Sequence, residues 1–202
     1  MTIVLNGTSG ITTPPVSVEG STSGTITLAA PAVAGSNTQT LVAATGTLAP
    51  LISGTAVAST SGTSIDFTSI PTWVKRITVM FNGVSTNGTA MLLAQIGAGS
   101  VTTSGYVSAA AYTGASAGGA TSTAGYILTA AAGAVNTSTG SLVITLVGSN
   151  IWVSSSILAR QDGYVSSAGG TVTLSGTLDR VRVTTVGGTD TFDLGSINIL
   201  YE

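Results

Sequence analysis

The chain has 202 residues, of which 6% are charged, with a formal net charge of −2 and neither His nor Cys. The missing imidazole removes the side chain most used for acid–base work near neutral pH, and the missing thiols exclude thiolate chemistry and Cys-based metal sites. Five cations (Lys75, Arg76, Arg160, Arg180, Arg182) cannot form the stripe that neutralises nucleic-acid phosphates, so no nucleic-acid partner is expected. No run of about 20 apolar residues exists, so no membrane insertion is expected either.

What remains is a structural or binding protein. Hydrophobic residues make up 43% of the chain but aromatics only 5%, and 27 residues are Gly. A monomer this poor in bulky side chains offsets its backbone entropy, about 1–2 kcal/mol per residue, with difficulty. Oligomerisation is the usual remedy, because it buries surface that one chain cannot bury alone.

Composition changes near residue 53. Residues 1–52 hold one charge, Glu19, no aromatic, and Pro14, Pro15, Pro31 and Pro50. Thr2–Leu5 reads as a strand closed by Asn6-Gly7, and Pro14-Pro15 forces an extended segment. The start lacks a basic region and a proper apolar stretch, so no signal peptide is expected. Gly24–Ala30 reads as a strand stopped by Pro31, and its Thr27–Ala30 motif is echoed at Thr40–Ala44. Two copies are too few for a solenoid. Such short strands carry too little apolar area to stand alone and are expected to pair with another chain or to dock.

From residue 54 onward, strands alternate with Gly, Asn and Ser turns. Ser64–Thr68 comes first, then Thr72–Phe81, in which Ile77, Val79 and Phe81 share a face, closed by an Asn82-Gly83 turn signal. Thr89–Ile96 and Gly105–Tyr112 follow. Residues 113–140 read as an unpatterned Gly/Ala/Ser/Thr loop anchored by Tyr126-Ile127-Leu128. Leu142, Ile144 and Leu146 alternate in a strand that Gly148-Ser149-Asn150 turns into Ile151–Leu158. Thr171–Leu174, Asp179–Thr185 and Ile197–Tyr201 complete the set. The expectation is an all-β chain: a short extended N-terminal segment over 1–53, then an antiparallel, jelly-roll-like β-sandwich over 54–202. No stretch has a helical period.

Candidate contacts are aromatic and polar. Trp73 beside Lys75 and Arg76 either stacks on a sugar ring or seals the sandwich edge. Arg160, Gln161, Asp162 and Tyr164 form the densest polar and aromatic group. Tyr106, Tyr112 and Tyr126 lie in or beside the Gly/Ala stretches. All of these serve either recognition, which usually sits on loops of a rigid scaffold, or turn chemistry and subunit packing. Arg180 and Arg182 share a strand face, with Asp179, Asp190 and Asp193 as nearby partners for an ion-pair network. No catalytic residue, metal site or cofactor is expected. Carboxylates are few, Asp190 and Asp193 fall on opposite faces of an extended strand, and no His can activate a Ser.

Several stretches resemble tailed-bacteriophage fibre proteins. Met1–Ile11 resembles the start of many such fibres, and Gly24–Pro31 with Ala43–Leu48 resembles their low-complexity shaft pieces. Asp66–Ile77 is similar to the first strands of a β-sandwich module at fibre tips, and Phe192–Glu202 is similar to its closing strand. The resemblance implies a homotrimeric virion fibre, held to other virion proteins (tail, baseplate or capsid) by its N-terminal segment. Its C-terminal knobs would face the host cell and a surface glycan. A virion component with no receptor, such as a capsid decoration, head fibre or baseplate protein, is the alternative.

Overall fold

The structure is a computed structural model that describes residues 16–19, 25–28, 49–130 and 132–202. The strand expected at Thr2–Leu5, the Asn6-Gly7 turn, the Pro14-Pro15 segment and the Thr40–Ala44 echo lie outside the described residues. The chain divides into two units, Met1–Thr47 and Leu48–Glu202. In the first, β1 (Val16–Glu19) pairs antiparallel with β2 (Thr25–Leu28), Val16 opposite Leu28.

In the second unit the strands are β3 (Ile52–Ser53), β4 (Val57–Ala58), β5 (Ile65–Phe67), β6 (Arg76–Thr86), β7 (Leu92–Ala98) and β8 (Ser100–Val101). They continue with β9 (Val107–Thr113), β10 (Gly118–Ser122), β11 (Tyr126–Ile127), β12 (Ser138–Gly148), β13 (Ile151–Arg160), β14 (Val165–Thr173), β15 (Arg180–Thr185) and β16 (Phe192–Tyr201). All pairings are antiparallel, in a nine-stranded sheet ordered β10-β9-β14-β13-β12-β6-β16-β3, with β4 also on β16. The second sheet has five strands, ordered β11-β7-β15-β5 with β8 on β7. Among the described residues there is no helix.

The core lies between the sheets. Period-two alternation turns Ile77, Val79 and Phe81 of β6, Leu142 and Ile144 of β12, and Ile197 and Ile199 of β16 inward. They meet Ala94 and Ile96 of β7 and Val181 and Val183 of β15. Trp152, Tyr106 and Tyr126 supply most of the aromatic bulk. The Tyr106 and Tyr126 rings meet edge to face at 5.0 Å, and the Tyr126 hydroxyl donates to the Trp152 carbonyl at 2.9 Å. A large ring with a polar tip is tolerated inside when the tip finds such a partner.

Asn82-Gly83 does not end a strand. β6 runs through it, and the pair forms a bulge: Ser138 faces Val84 while Gly140 faces Phe81, so β6 carries one extra residue. Gly83, at φ 61°, takes the left-handed conformation that a turn would also have needed. The expected turn at Gly148-Ser149-Asn150 does form, with Ser149 and Asn150 both left-handed, as a tight hairpin between β12 and β13 requires. The stretch 113–140 contains β10, β11 and the start of β12. The unit begins at Leu48 rather than residue 54, because Ile52–Ser53 pairs with Leu200–Tyr201.

Tyr106 is 1% exposed. Burial pushes its hydroxyl up to about 12, and burial with repulsion from Tyr106 raises Tyr126 further. A raised folded-state value means the stability these phenols carry is intact below about pH 10 and is lost as alkali ionises them in the unfolded chain. Tyrosinate absorbance from Tyr106 and Tyr126 is therefore expected to appear together with alkaline unfolding. Its appearance while the sheets are still intact by circular dichroism would contradict this burial.

Candidate functional site

The sandwich has two distinct ends. At the entry end, β3 pairs with the last residues of β16, and the β12–β13 hairpin turns. At the far end, three connections converge. Ser138 of β12 faces Arg160 of β13, and Val165 of β14 faces Thr113 of β9. The register therefore sets the 161–164 turn, the 114–117 turn and the segment leading into β12 side by side.

Four of the six sequence candidates meet there. Arg160 points inward from the end of β13 with its side chain 8% exposed, and its Nε donates to Asp162 Oδ1 at 3.0 Å. Its Nη2 bonds the other carboxylate oxygen, so the pair is bidentate. The guanidinium also lies 4.9 Å from the centre of the Tyr164 ring, within cation–π range. Tyr164 in turn meets Tyr112 edge to face at 5.6 Å, and its hydroxyl lies 3.3 Å from Ser116 Oγ.

The segment before β12 completes the cluster. Asn136 Nδ2 donates to Asp162 at 3.0 Å, Thr137 Oγ1 donates to Gln161 at 3.0 Å, and Gln161 Nε2 donates to the Val135 carbonyl at 2.8 Å. Val135 itself is 79% exposed beside them. Sequence reasoning named neither Asn136 nor Ser116, because both sit in the stretch read as an unpatterned loop. Arg160 also lines a cavity of about 20 Å³ with Ser85, Thr86, Thr129, Asn136 and Ser138, and its buried Nη1 has no partner among the described residues. That volume suits one ordered water bonded to a polar wall.

The other two candidates lie elsewhere. Trp73 is at the entry end, 37% exposed, with its ring 5.9 Å from Tyr201. It therefore packs on the closing strand, as the edge-sealing reading expected. Tyr106 is corrected outright: its hydroxyl accepts from the Ile96 amide at 2.8 Å inside the core and is closed to any external partner. Tyr126 is buried beside it.

The remaining arginines are paired locally. Arg182 pairs with Asp66 and Arg180 with Asp179, each at 2.7 Å, and Arg76 pairs with Glu202. The network expected from Asp190 and Asp193 does not form. Asp190 accepts from the Ala90 amide at 2.7 Å, and Asp193 bonds Ser85. No cluster of three or more metal-ligating side chains, and no helix able to cross a membrane, occurs among the described residues.

The far-end cluster gathers aromatic, charged and hydrogen-bonding groups on one surface. It offers two rings held at fixed angles, a half-exposed carboxylate, amide groups and hydroxyls, on turns anchored by long strands. The bonded Arg160 guanidinium holds the Asp162 carboxyl below the usual carboxylate range. A lowered folded-state value means the pair's contribution is complete above about pH 4 and fades as acid protonates Asp162. Asp162→Asn is therefore expected to melt below the wild type at pH 7, with the gap closing toward pH 2. A gap that stays constant with pH would remove Asp162 as the titrating partner.

Compared with models of protein families, with curated proteins and with solved structures, the chain matches none.

Proposed function

We propose that the chain is a structural virion protein, a bacteriophage tail fibre subunit that attaches the particle to its host through the C-terminal sandwich. Its subunits work as a homotrimer, held to other virion proteins by the N-terminal segment, and the far-end cluster contacts a host surface glycan. The observation that carries the contact role is the convergence of Tyr112, Arg160, Asp162 and Tyr164 on one end of the sandwich, opposite the end where the chain enters. The likeness of the sequence to fibre tips and shafts supports the virion role.

Rings flanked by hydrogen-bonding groups are the usual furniture of sugar recognition, because a ring face covers the C–H side of a pyranose while neighbours bond its hydroxyls. Three such sites on one fibre, and several fibres on one particle, raise avidity without a tight single site. The mechanism is binding alone; it needs no cofactor and no catalytic residue.

A second reading is a capsid decoration, head fibre or baseplate protein with no receptor. It is favoured by the extent to which the far-end polar groups bond one another. Antibodies to the chain, used in electron microscopy of purified particles, test both. Label at the tips of tail fibres supports attachment. Label on the capsid or baseplate supports the second reading, and unlabelled particles overturn both.

A further inference from the structure

The large sheet carries an outer face with an unusual property. Across β9, β14, β13 and β12 the outward residues are Val, Ile, Ala, Ser, Thr and Gly, and none is charged. The register aligns them in rows: Val107, Thr171, Val153 and Thr145; then Ala109, Gly169, Ser155 and Val143; then Ala111, Ser167, Ile157 and Ser141. Ile157 is 63% exposed and Val107 71%. The charged side chains of the unit all lie elsewhere: on the small sheet, on β6 and β16, in the connections, or, for Arg160, turned inward.

An outward sheet face normally alternates charge or polarity against its buried side, and contiguous exposed apolar patches mark interaction surfaces. Here the aliphatic ridge of Val153 and Ile157 on β13 stands beside the furrow left by Ser167 and Gly169 on β14. A shallow groove of about 260 Å³ runs between Ser141, Val143, Ser155 and Ile157.

We infer that this face, centred on Ile157 and Val153, is the surface through which one copy of the chain binds another. The choice of occupant follows from charge and area. A face with no charge meets its own copy without like-charge repulsion, whereas a charged partner would leave its own groups unpaired there. Four strands about 4.8 Å apart and about nine residues long span roughly 550 Å² per copy, or about 1,100 Å² in total. That passes the roughly 1,000 Å² expected of a specific interface. The face is independent of the attachment role: a face that meets its own copy closes at two chains, and the proposed trimer requires other contacts.

Light scattering on the full chain tests it, for the wild type and for Ile157→Lys, Val153→Lys and Ile157→Val. Both lysine positions are outward, so the variants should keep the wild-type circular dichroism, which is checked first. The expected result is an oligomeric wild type, retained by Ile157→Val and dissociated at least a hundredfold more readily by either lysine variant. A wild-type dimer that the lysines break supports the face and overturns only the trimer. An oligomer that survives both lysines overturns the face and leaves the trimer standing, and a monomeric wild type overturns both.

Discussion

Replacing Trp152 with Ala is expected to cost about 3–5 kcal/mol, the range for removing a large aromatic from a closed core. Trp152 is 2% exposed, on the inner face of β13 near the middle of the nine-stranded sheet. Its backbone carbonyl also receives the Tyr126 hydroxyl, so a shift of β13 disturbs the aromatic centre as well. Domains of this size carry about 5–15 kcal/mol in all, so the loss is a large share of the total. It corresponds to a drop of roughly 10–15 °C in Tm. Urea or thermal melts at one fixed protein concentration read it, since self-association shifts apparent stability by mass action. A loss below about 1 kcal/mol would mean that the ring does not hold the two sheets together.

Gly195→Ala is expected to be comparably damaging, for a backbone reason. Gly195 sits at φ 96°, opposite the β6 bulge, and a methyl group there would lie 2.4 Å from the Gly83 carbonyl oxygen and 2.6 Å from that of Asn82. Both obstacles are main chain, so they cannot swing aside. Left-handed strain of about 1–3 kcal/mol adds to overpacking of about 1–3 kcal/mol, giving a loss of roughly 2–6 kcal/mol. Ser175→Ala, on an exposed connection, is the control expected to change stability by less than about 0.5 kcal/mol. Equal melting of Gly195→Ala and the wild type would show that β16 passes the bulge with room to spare.

Much of the architecture was legible because β-structure writes its faces with period two. Ile77, Val79 and Phe81, and Leu142 and Ile144, were assigned to common faces and are buried together. What alternation cannot tell is the register between strands distant in sequence. Asn82-Gly83 has the chemistry of a turn, and only its neighbours on β12 and β16 make it a bulge. Two-residue strands such as β3 and β11 are too short to show a period at all.

The site was legible in part for the same reason. Arg160, Asp162 and Tyr164 are close in sequence, so their meeting on one turn needed no long-range knowledge. Tyr112 joins them because Ser166, two residues beyond Tyr164, faces Tyr112 across β14 and β9, a pairing no local signal announces. Tyr106 and Tyr112 are six apart along one extended run and so share a face, but no local signal says which is covered; Tyr106 is buried because Tyr126 and the Ile96 backbone close over it.

Glycan-array binding by the full chain, beside the Tyr112→Ala and Tyr164→Ala variants and Trp73→Ala, tests the attachment account most directly. The account predicts that the wild type and Trp73→Ala bind the same glycan class, while each tyrosine variant loses at least tenfold in affinity. No glycan bound by the wild type, or binding that survives loss of both tyrosines, would contradict it.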